Sequence, residues 1–275
     1  MAIITLSPQM GSGGPEIGMA LAQRLGYRYV DQELIADAVR RYGLAEEKAS
    51  HLDESKPTLF ERFDVETRHY ITVLQTTLLE FAEQDNHVLM GRGGQWLLRG
   101  IPQVLRLRVI APFEMRVKQW IKRTAEMTGD TPNQRAAVEF VRRDDTERAG
   151  RMRYLYEVDL DDPALYDVVV NTEKLKYDAA VDMIERVVCR PEMTTTDDGR
   201  KLLASRVLVS RVQVALATNP ETRRYRITVE ARDGIVVLEG TAALDRAVEV
   251  ARTVPGVRDV RTQQVEIPPI PPFVA

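Results

Sequence analysis

Short apolar runs alternate with stretches of helical periodicity over the first two thirds of the chain. The runs predict five strands, at Ala2–Leu6, Tyr27–Val30, His87–Met90, Val104–Ile110 and Tyr166–Asn171. Between them, apolar residues recur every three or four positions, as on the buried face of a helix. The helices are predicted after Gly14, at 32–42 and 65–84, from Phe113, along VRRDDTERAGRMR and at 177–188. Strands separated by helices predict an α/β fold with a parallel five-stranded sheet flanked by helices.

The pattern changes after Arg190. The stretch RPEMTTTDDG is polar and without periodicity, which predicts a linker at 190–199. A helix (200–217), two alternating strands joined by ARDG, a second helix (242–253) and a last strand (257–267) follow, giving a small α+β module of αββαβ order. The tail PPIPPFVA cannot pair within a sheet. We therefore expect domains at 1–189 and 200–268, a linker at 190–199 and a proline-rich tail at 269–275.

Composition narrows the classes of partner. The 275 residues carry a net charge of −3, so no global basic field recruits nucleic acid. The one cysteine, Cys189, indicates a reducing compartment, and no apolar stretch approaches the ~20 residues of a membrane span. These features predict a cytoplasmic protein whose anion sites are local.

The segment SPQMGSGGP joins a predicted strand to a predicted helix. Gly11, Ser12, Gly13 and Gly14 would bring backbone N–H groups close to a phosphate, and the helix N-terminus would add its dipole. The alternative is a tight turn in which Pro15 simply starts the helix.

The full phosphate-loop pattern is G-x-x-x-x-G-K-[ST]. With its last glycine placed on Gly14, Gln9 stands at the first glycine, Pro15 at the lysine and Glu16 at the hydroxyl. The backbone cradle remains, but the lysine charge and the hydroxyl ligand to magnesium do not. Glu16 would repel phosphates unless magnesium, an arginine or an outward rotamer offsets its charge.

Four segments in order resemble the cytidylate kinase-like family, a branch of the P-loop nucleoside monophosphate kinases. They are IITLSPQMGSGGPEIGMALAQRLGYRYVDQELI, HVLMGRGGQWLL, LRVIAPFEMRVKQ and DLDDPALYDVVVNTEKL, and together they cover roughly residues 2–188. Family members commonly carry arginine at the position of Pro15. This departure puts catalytic competence in question more than fold.

The resemblance implies a kinase that transfers the γ-phosphoryl group of ATP, with Mg²⁺, to a CMP-like acceptor. The glycine loop with Glu16 would hold the donor, Arg92 would bind the acceptor phosphate, and Asp31 would contact its base or ribose. Lid arginines would supply catalytic charge, and the candidates are Arg142, Arg143, Arg148, Arg151 and Arg153, with Arg143, Arg148 and Arg151 as the catalytic set.

Each of these residues also has a structural interpretation. The alternative for Arg92 is an ion pair with a neighbouring carboxylate, and Asp31 is equally suited to cap a helix. The acidic residues beside the lid arginines are typical of a solvated, salt-bridged helix. Asp161 and Asp162 suggest acid–base or magnesium chemistry, but a turn is favoured. The three histidines, His51, His69 and His87, share no metal-ligand spacing, and no metal ligand is assigned.

The C-terminal segments SRVLVSRVQVALATNP, YRITVEARDGIVVLEGTA and ARTVPGVRDVRTQQVEI resemble a BON domain. The resemblance implies a binding module for a small ligand, a lipid surface or a protein. Its basic stretch RRYR (223–226) suits an anionic surface, although a solvated approach to the hairpin is favoured.

Three functions remain open on the sequence alone. The first is the kinase, and the second is a catalytically impaired nucleotide sensor that acts through the BON-like module. The third is an interaction scaffold, which includes a homo-oligomer.

Overall fold

Five parallel strands form the centre of the first two thirds of the chain. The structure is a computed structural model that describes residues 2–31 and 65–264. The strands are β1 (Ile3–Pro8), β2 (Arg28–Val30), β3 (His87–Met90), β4 (Val104–Ile110) and β5 (Val168–Asn171). Their order is β2-β3-β1-β4-β5, and every pairing is parallel. The predicted α/β fold with a parallel five-stranded sheet is confirmed.

Helices cover both faces of this sheet. They are α1 (Gly14–Leu25), α2 (Val65–Glu83), α3 (Gly94–Leu97), α4 (Phe113–Thr128), α5 (Gln134–Tyr156) and α6 (Tyr177–Val188). On one face, α1 and α6 bury residues such as Leu21 and Ile184. On the other face, α2 buries Leu78 and its neighbours. The helix predicted at 32–42 lies outside the described residues.

The C-terminal module (residues 197–264) has its own sheet. Its elements are α7 (Asp197–Thr218), β6 (Ile227–Arg232), β7 (Ile235–Gly240), α8 (Leu244–Arg252) and β8 (Asp259–Gln264). Strands β6 and β7 form an antiparallel hairpin, and β8 pairs parallel with β7. Asp233 and Gly234, with φ angles of 51° and 83°, form the tight turn that the ARDG sequence predicts. The order αββαβ agrees with the prediction.

Helix α7 is buried on two sides. Leu203, Val207 and Val214 join the core formed with α2, whereas other α7 side chains, such as Val212, build the core of the C-terminal module. Apolar residues on two faces of one helix are expected to be covered by two different partners. Polar contacts reinforce the α2 interface, including an ion pair of 2.8 Å between Arg211 and Glu80.

The region predicted as a linker is partly regular. A 3₁₀ turn spans Pro191–Met193, and the hydroxyl of Thr196 accepts a hydrogen bond from the Gly199 N–H, so α7 begins at Asp197. The linker 190–199 therefore contains the first turn of α7. The domain boundaries as such stay a prediction, and the tail at 269–275 lies outside the described residues.

Strand β5 begins at Val168, two residues after the predicted start. Tyr166 ends the turn Pro163–Leu165, and its backbone N–H donates to the Pro163 carbonyl at 3.1 Å, so this N–H is not available to a neighbouring strand. Within residues 2–31 and 65–264, no helix has both the length and the apolar character needed to cross a membrane.

Candidate functional site

The glycine loop follows β1 and packs closely against two other elements. Gly11 and Gly13 have φ angles of 77° and 86°, a region that favours glycine. A Cβ atom on Gly11 would lie 2.3 Å from the carbonyl oxygen of Arg116, and one on Gly13 would lie 2.3 Å from the ring of Tyr177. The loop can therefore take this shape only with glycine at both positions.

Helix α1 starts at the end of the glycine loop, and its N-terminus lies at that loop. Pro15 occupies its first turn, where the missing N–H costs little. The first hydrogen bond of the helix runs from the Ile17 N–H to the Gly13 carbonyl at 3.0 Å. The N–H groups of Gly14 and Glu16 have no acceptor within the helix and form its positive end. This geometry suits a bound phosphate.

Ser12 has an internal role in this loop. Its hydroxyl is fully buried, and its single proton is shared between the carbonyl oxygens of Gln9 (2.7 Å) and Val109 (3.1 Å). Its own carbonyl accepts a hydrogen bond of 2.9 Å from the hydroxyl of Thr172. The predicted donor-binding residue Ser12 is thus placed as a brace that fixes the loop to β4 and to the end of β5.

Glu16 lies beside an arginine that is not among the site residues predicted from the sequence. Its Oε1 atom is 3.6 Å from Nη1 of Arg123, a residue of α4. Burial raises the pKa of Tyr29 to about 12, with Asp31 and Glu16 adding to the increase and Arg123 opposing it. Of the three means of offsetting Glu16, the structure provides the arginine. The sequence signal for Arg123 is its position, since it lies on α4, the helix that begins directly after the carboxyl end of β4.

Arg116 lies two helical turns before Arg123 on the same face of α4. It is buried, and its Nη1 and Nη2 atoms donate to the two carboxylate oxygens of Asp145 at 2.9 and 2.8 Å. Nη1 also lies 3.4 Å from the carbonyl oxygen of Met10 in the glycine loop. One guanidinium group therefore connects α4, α5 and the loop.

Three arginines line a cavity of about 200 Å³ beside the loop. Arg92 belongs to the GRGG turn after β3 and has a left-handed φ of 58°, while Arg148 and Arg151 come from α5. Burial, with the charges of Arg151 and Arg148 acting in the same direction, lowers the pKa of Arg92 to about 9. An anion in the cavity would relieve the repulsion among these three cations.

Helix α5 presents a stripe to this cavity, formed by Phe140, Asp144, Arg148 and Arg151. Their spacing of four, four and three residues places them on one helical face. Arg148 forms an ion pair of 2.8 Å with Asp144 and lies 3.3 Å from the Pro8 carbonyl at the end of β1. Burial raises the pKa of Asp144, whereas Arg148 opposes that increase.

The other lid candidates lie elsewhere. Arg143 is 77% exposed and pairs with Glu147 at 2.9 Å, as on a solvated helix. Arg142 lies over the ring of Phe113, and Arg153 is exposed. The structure thus brings Arg92, Arg148 and Arg151 together and leaves Arg143 outside the cavity, because residue 143 lies on another face of α5.

The remaining candidates occupy separate positions. Asp31 directly follows β2, and the helix that it was suited to cap lies outside the described residues. Asp161 accepts a hydrogen bond of 2.8 Å from Arg108, and Asp162 caps the turn Pro163–Leu165 through the Ala164 N–H. This agrees with the favoured turn. In the described part of the chain, no three His, Cys, Asp or Glu residues are grouped as a metal site; His51 lies outside it.

Comparison with protein families gives two matches along the chain. The model of the cytidylate kinase-like family matches residues 3–174, and that of the BON domain matches residues 205–269. The first range contains the glycine loop, the GRGG turn and helices α4 and α5.

Comparison with individual proteins agrees with the first match. The chain is 28% identical over 189 residues to a cytidylate kinase of Staphylothermus marinus, with 68% of this chain and 97% of that protein covered. A cytidylate kinase of Methanocaldococcus jannaschii is 26% identical over 188 residues, with the same coverage of 68% and 97%. Among solved structures, an uncharacterized protein from Eubacterium ventriosum has a TM-score of 0.52 at 18% identity, covering 69% of this chain and all of that one.

Proposed function

The chain belongs to the cytidylate kinase-like family, and on that premise we propose that it transfers the γ-phosphoryl group of ATP to a nucleoside monophosphate, with CMP as the favoured acceptor. The observation that carries the proposal is the meeting of Arg92, Arg148 and Arg151 in one cavity next to the glycine loop. Phosphoryl transfer requires positive charge around the transferring group more than it requires covalent chemistry by the protein.

The donor side of the site uses backbone groups and one side chain. The N–H groups at the start of α1 would bind the donor phosphates. Arg123 lies beside Glu16, close enough to contact the same phosphates. A guanidinium group can contact phosphate oxygens in a bidentate manner. In this proposal, Arg123 supplies the charge that a lysine at position 15 supplies in the full phosphate-loop pattern.

Glu16 has the chemistry to hold magnesium. In phosphoryl-transfer sites, Mg²⁺ is usually bound through one or two carboxylates together with substrate phosphates. The Oε2 atom of Glu16 is buried and has no hydrogen-bond partner among the described residues. When bound there, the ion would neutralise charge on the phosphates during transfer.

The acceptor side rests on the GRGG turn. Arg92 would bind the acceptor phosphate. Arg148 and Arg151, on α5, would contact the phosphoryl group during its transfer. Because Arg148 is paired with Asp144, an incoming phosphate competes with that carboxylate for the guanidinium group. The side chains thus hold both phosphates in a common cationic environment.

A coupled assay with ATP, Mg²⁺ and a panel of nucleoside monophosphates tests this proposal. We expect turnover with CMP above that with AMP, GMP or UMP. Absence of turnover with every acceptor, from protein whose circular dichroism shows an intact fold, would contradict it.

A second candidate is a nucleotide sensor that binds ATP without turnover. It is favoured by Pro15 and Glu16, which stand where the pattern has lysine and a hydroxyl residue. Calorimetric titration with ATP separates the candidates. Binding without turnover of any acceptor supports the sensor, and absence of binding contradicts both.

A further inference from the structure

A groove of about 330 Å³ lies where α2 meets the C-terminal module. We call it the α2–α7 groove. The lining side chains that bear on its chemistry are His69, Thr72, Gln75, Arg223, Tyr225 and Arg226. The first three lie on α2, and the last three lie in the segment that joins α7 to β6.

The groove has a positive lining. Arg223 and Arg226 are both exposed along it, and no carboxylate occurs among its described lining residues. The chain as a whole has a net charge of −3, so this positive field is local. A local basic concavity concentrates anions of matching size.

The segment that carries the two arginines is held in one conformation. The buried hydroxyl of Thr222 donates to the carbonyl of Leu216 at 2.7 Å. The Arg223 N–H donates to the Asn219 carbonyl, and the Tyr225 N–H donates to the Thr222 carbonyl, both at 2.9 Å. A site whose backbone is fixed before binding loses less entropy when a ligand arrives.

We propose that the α2–α7 groove binds a nucleotide. Arg223 and Arg226 would bind its phosphates, and the ring of Tyr225, which is 49% exposed, would stack on the base. The hydroxyl of Thr72 and the amide of Gln75 supply hydrogen-bonding groups for the polar edges of the base. The groove volume lies at the lower end of the ~300–1,000 Å³ typical of small-molecule sites.

One side chain links this groove with the arginine cavity. Gln75 lines the groove, and its Nε2 atom donates to the hydroxyl of Tyr156 at 3.2 Å. The ring of Tyr156 packs on Gly93, where a Cβ atom would lie only 2.8 Å from Cε2. Gly93 is the neighbour of Arg92 in the GRGG turn. A groove ligand that rotates the Gln75 amide toward itself therefore removes the Nε2 donor from the Tyr156 hydroxyl and changes the support of that turn.

Calorimetric titration of the full chain with CTP tests the site. The variant R223S/R226S is expected to lose one binding site per chain relative to wild type. The control R224S/R232S removes the same charge from arginines that do not line the groove, and it should keep the wild-type stoichiometry. Equal stoichiometry in all three proteins would overturn the proposal.

Two further probes identify the chemistry. Tripolyphosphate carries the charge without a base, and vesicles with phosphatidylglycerol present an anionic surface. Binding of CTP at least tenfold tighter than tripolyphosphate supports a nucleotide site. Equal affinity for both, or loss of vesicle binding alone in R223S/R226S, would show a different ligand and overturn it.

The link with the cavity has its own measurement. With CTP at the concentration that fills the groove, the KM for CMP should change in wild type by a factor within the roughly 5–150-fold range of typical coupling. The change should disappear in R223S/R226S and in Y156F, which removes only the hydroxyl. A shift of equal size in R223S/R226S would reflect competition at the loop and would refute the link. If wild type shows no turnover, the proposed kinase activity fails, while the stoichiometry still decides the groove.

Discussion

Arg116 donates two hydrogen bonds to Asp145 across the contact between α4 and α5. The guanidinium group is buried, whereas the carboxylate is one-third exposed, with 34% of its side chain accessible. The same arginine reaches the Met10 carbonyl, so the position of the glycine loop depends on a contact made with the lid helix. Loop and lid are therefore mechanically connected through one cation.

Removal of Asp145 should destabilise the fold. In the variant Asp145→Ala, the buried guanidinium of Arg116 loses its counter-charge, and we expect a loss of about 2–3 kcal/mol, less than for a fully buried pair. The measurement is urea denaturation. Arg143→Ala is the control on the same helix, since its exposed pair with Glu147 should contribute no more than about 0.5 kcal/mol. Equal losses in both variants would contradict this role of Arg116.

A lysine at position 15 should be able to replace the function of Arg123. Arg123→Ala removes the proposed donor-phosphate cation, and kcat/KM for ATP should fall roughly 10- to 100-fold, as for loss of a charged hydrogen bond of about 1.5–3 kcal/mol. Adding Pro15→Lys should recover much of that loss, because a lysine then stands at the loop. Lys122→Ala is the control, because it removes a neighbouring cation that pairs with Glu126 and not with Glu16. An Arg123→Ala protein with unchanged kinetics would show that this arginine does not meet the donor.

The lid arginines should differ sharply in their effect on turnover. Arg148→Ala or Arg151→Ala removes charge from the cavity, and we expect kcat to fall about 100-fold or more, since arginines at this step of phosphoryl transfer are worth ~10³–10⁵. Arg143→Ala should stay within about threefold of wild type. Single-turnover measurement separates the chemical step from product release. Comparable losses in all three variants would argue for a general effect on α5.

The glycine loop, the GRGG turn and the five strands could be predicted because each depends on neighbours in sequence. A buried parallel strand is a short apolar run, and a turn at positive φ needs glycine. The position of Arg123 near Glu16 could not be predicted in this way, since the two residues meet only after α4 has packed beside the loop. The distinction between Arg148 and Arg143 depends on which face of α5 meets the sheet, and the charge pattern of that helix is mixed on all sides.

The packing partner of α7 could not be predicted from local sequence either. Its apolar residues predict a helix, but the segment that covers one side of it, α2, lies more than a hundred residues earlier. Arg190–Gly199 is polar enough to predict a linker, and only the Thr196 cap reveals that a helix starts inside it. Local pattern thus gives the elements, whereas tertiary packing decides which faces they share.

The stability of the fold should decrease as the pH falls below about 6.5. Burial lowers the pKa of His87, so the unfolded chain takes up a proton at a pH where the folded chain does not. The stabilisation is present above the unfolded pKa and is lost as the pH decreases, by at most about 1.4 kcal/mol per pH unit for one proton. Denaturation of wild type and His87→Gln between pH 7.5 and 5.5 measures it. The variant should show the shallower slope, and parallel slopes would exclude His87 as the source.

Alanine substitutions at two adjacent leucines should distinguish the buried side of α7 from its exposed side. Leu203→Ala opens a cavity in the core shared with α2 and should cost about 2–5 kcal/mol. Leu202→Ala alters a side chain that is 41% exposed and should change stability by less than about 0.5 kcal/mol. Thermal or chemical denaturation of both proteins provides the comparison. A similar cost for both would mean that α7 does not pack on α2 in solution.

The double burial of α7 also sets an order of events at the ribosome. All five strands of the first sheet are synthesised before Val214, the last α7 side chain in the shared core, leaves the exit tunnel. Val214 follows the end of α2 by about 130 residues, so at ~5–20 residues per second the apolar side of α2 stays uncovered for roughly 7–26 s. During that interval the nascent chain exposes a hydrophobic stripe, which makes it a substrate for chaperones that bind emerging chains.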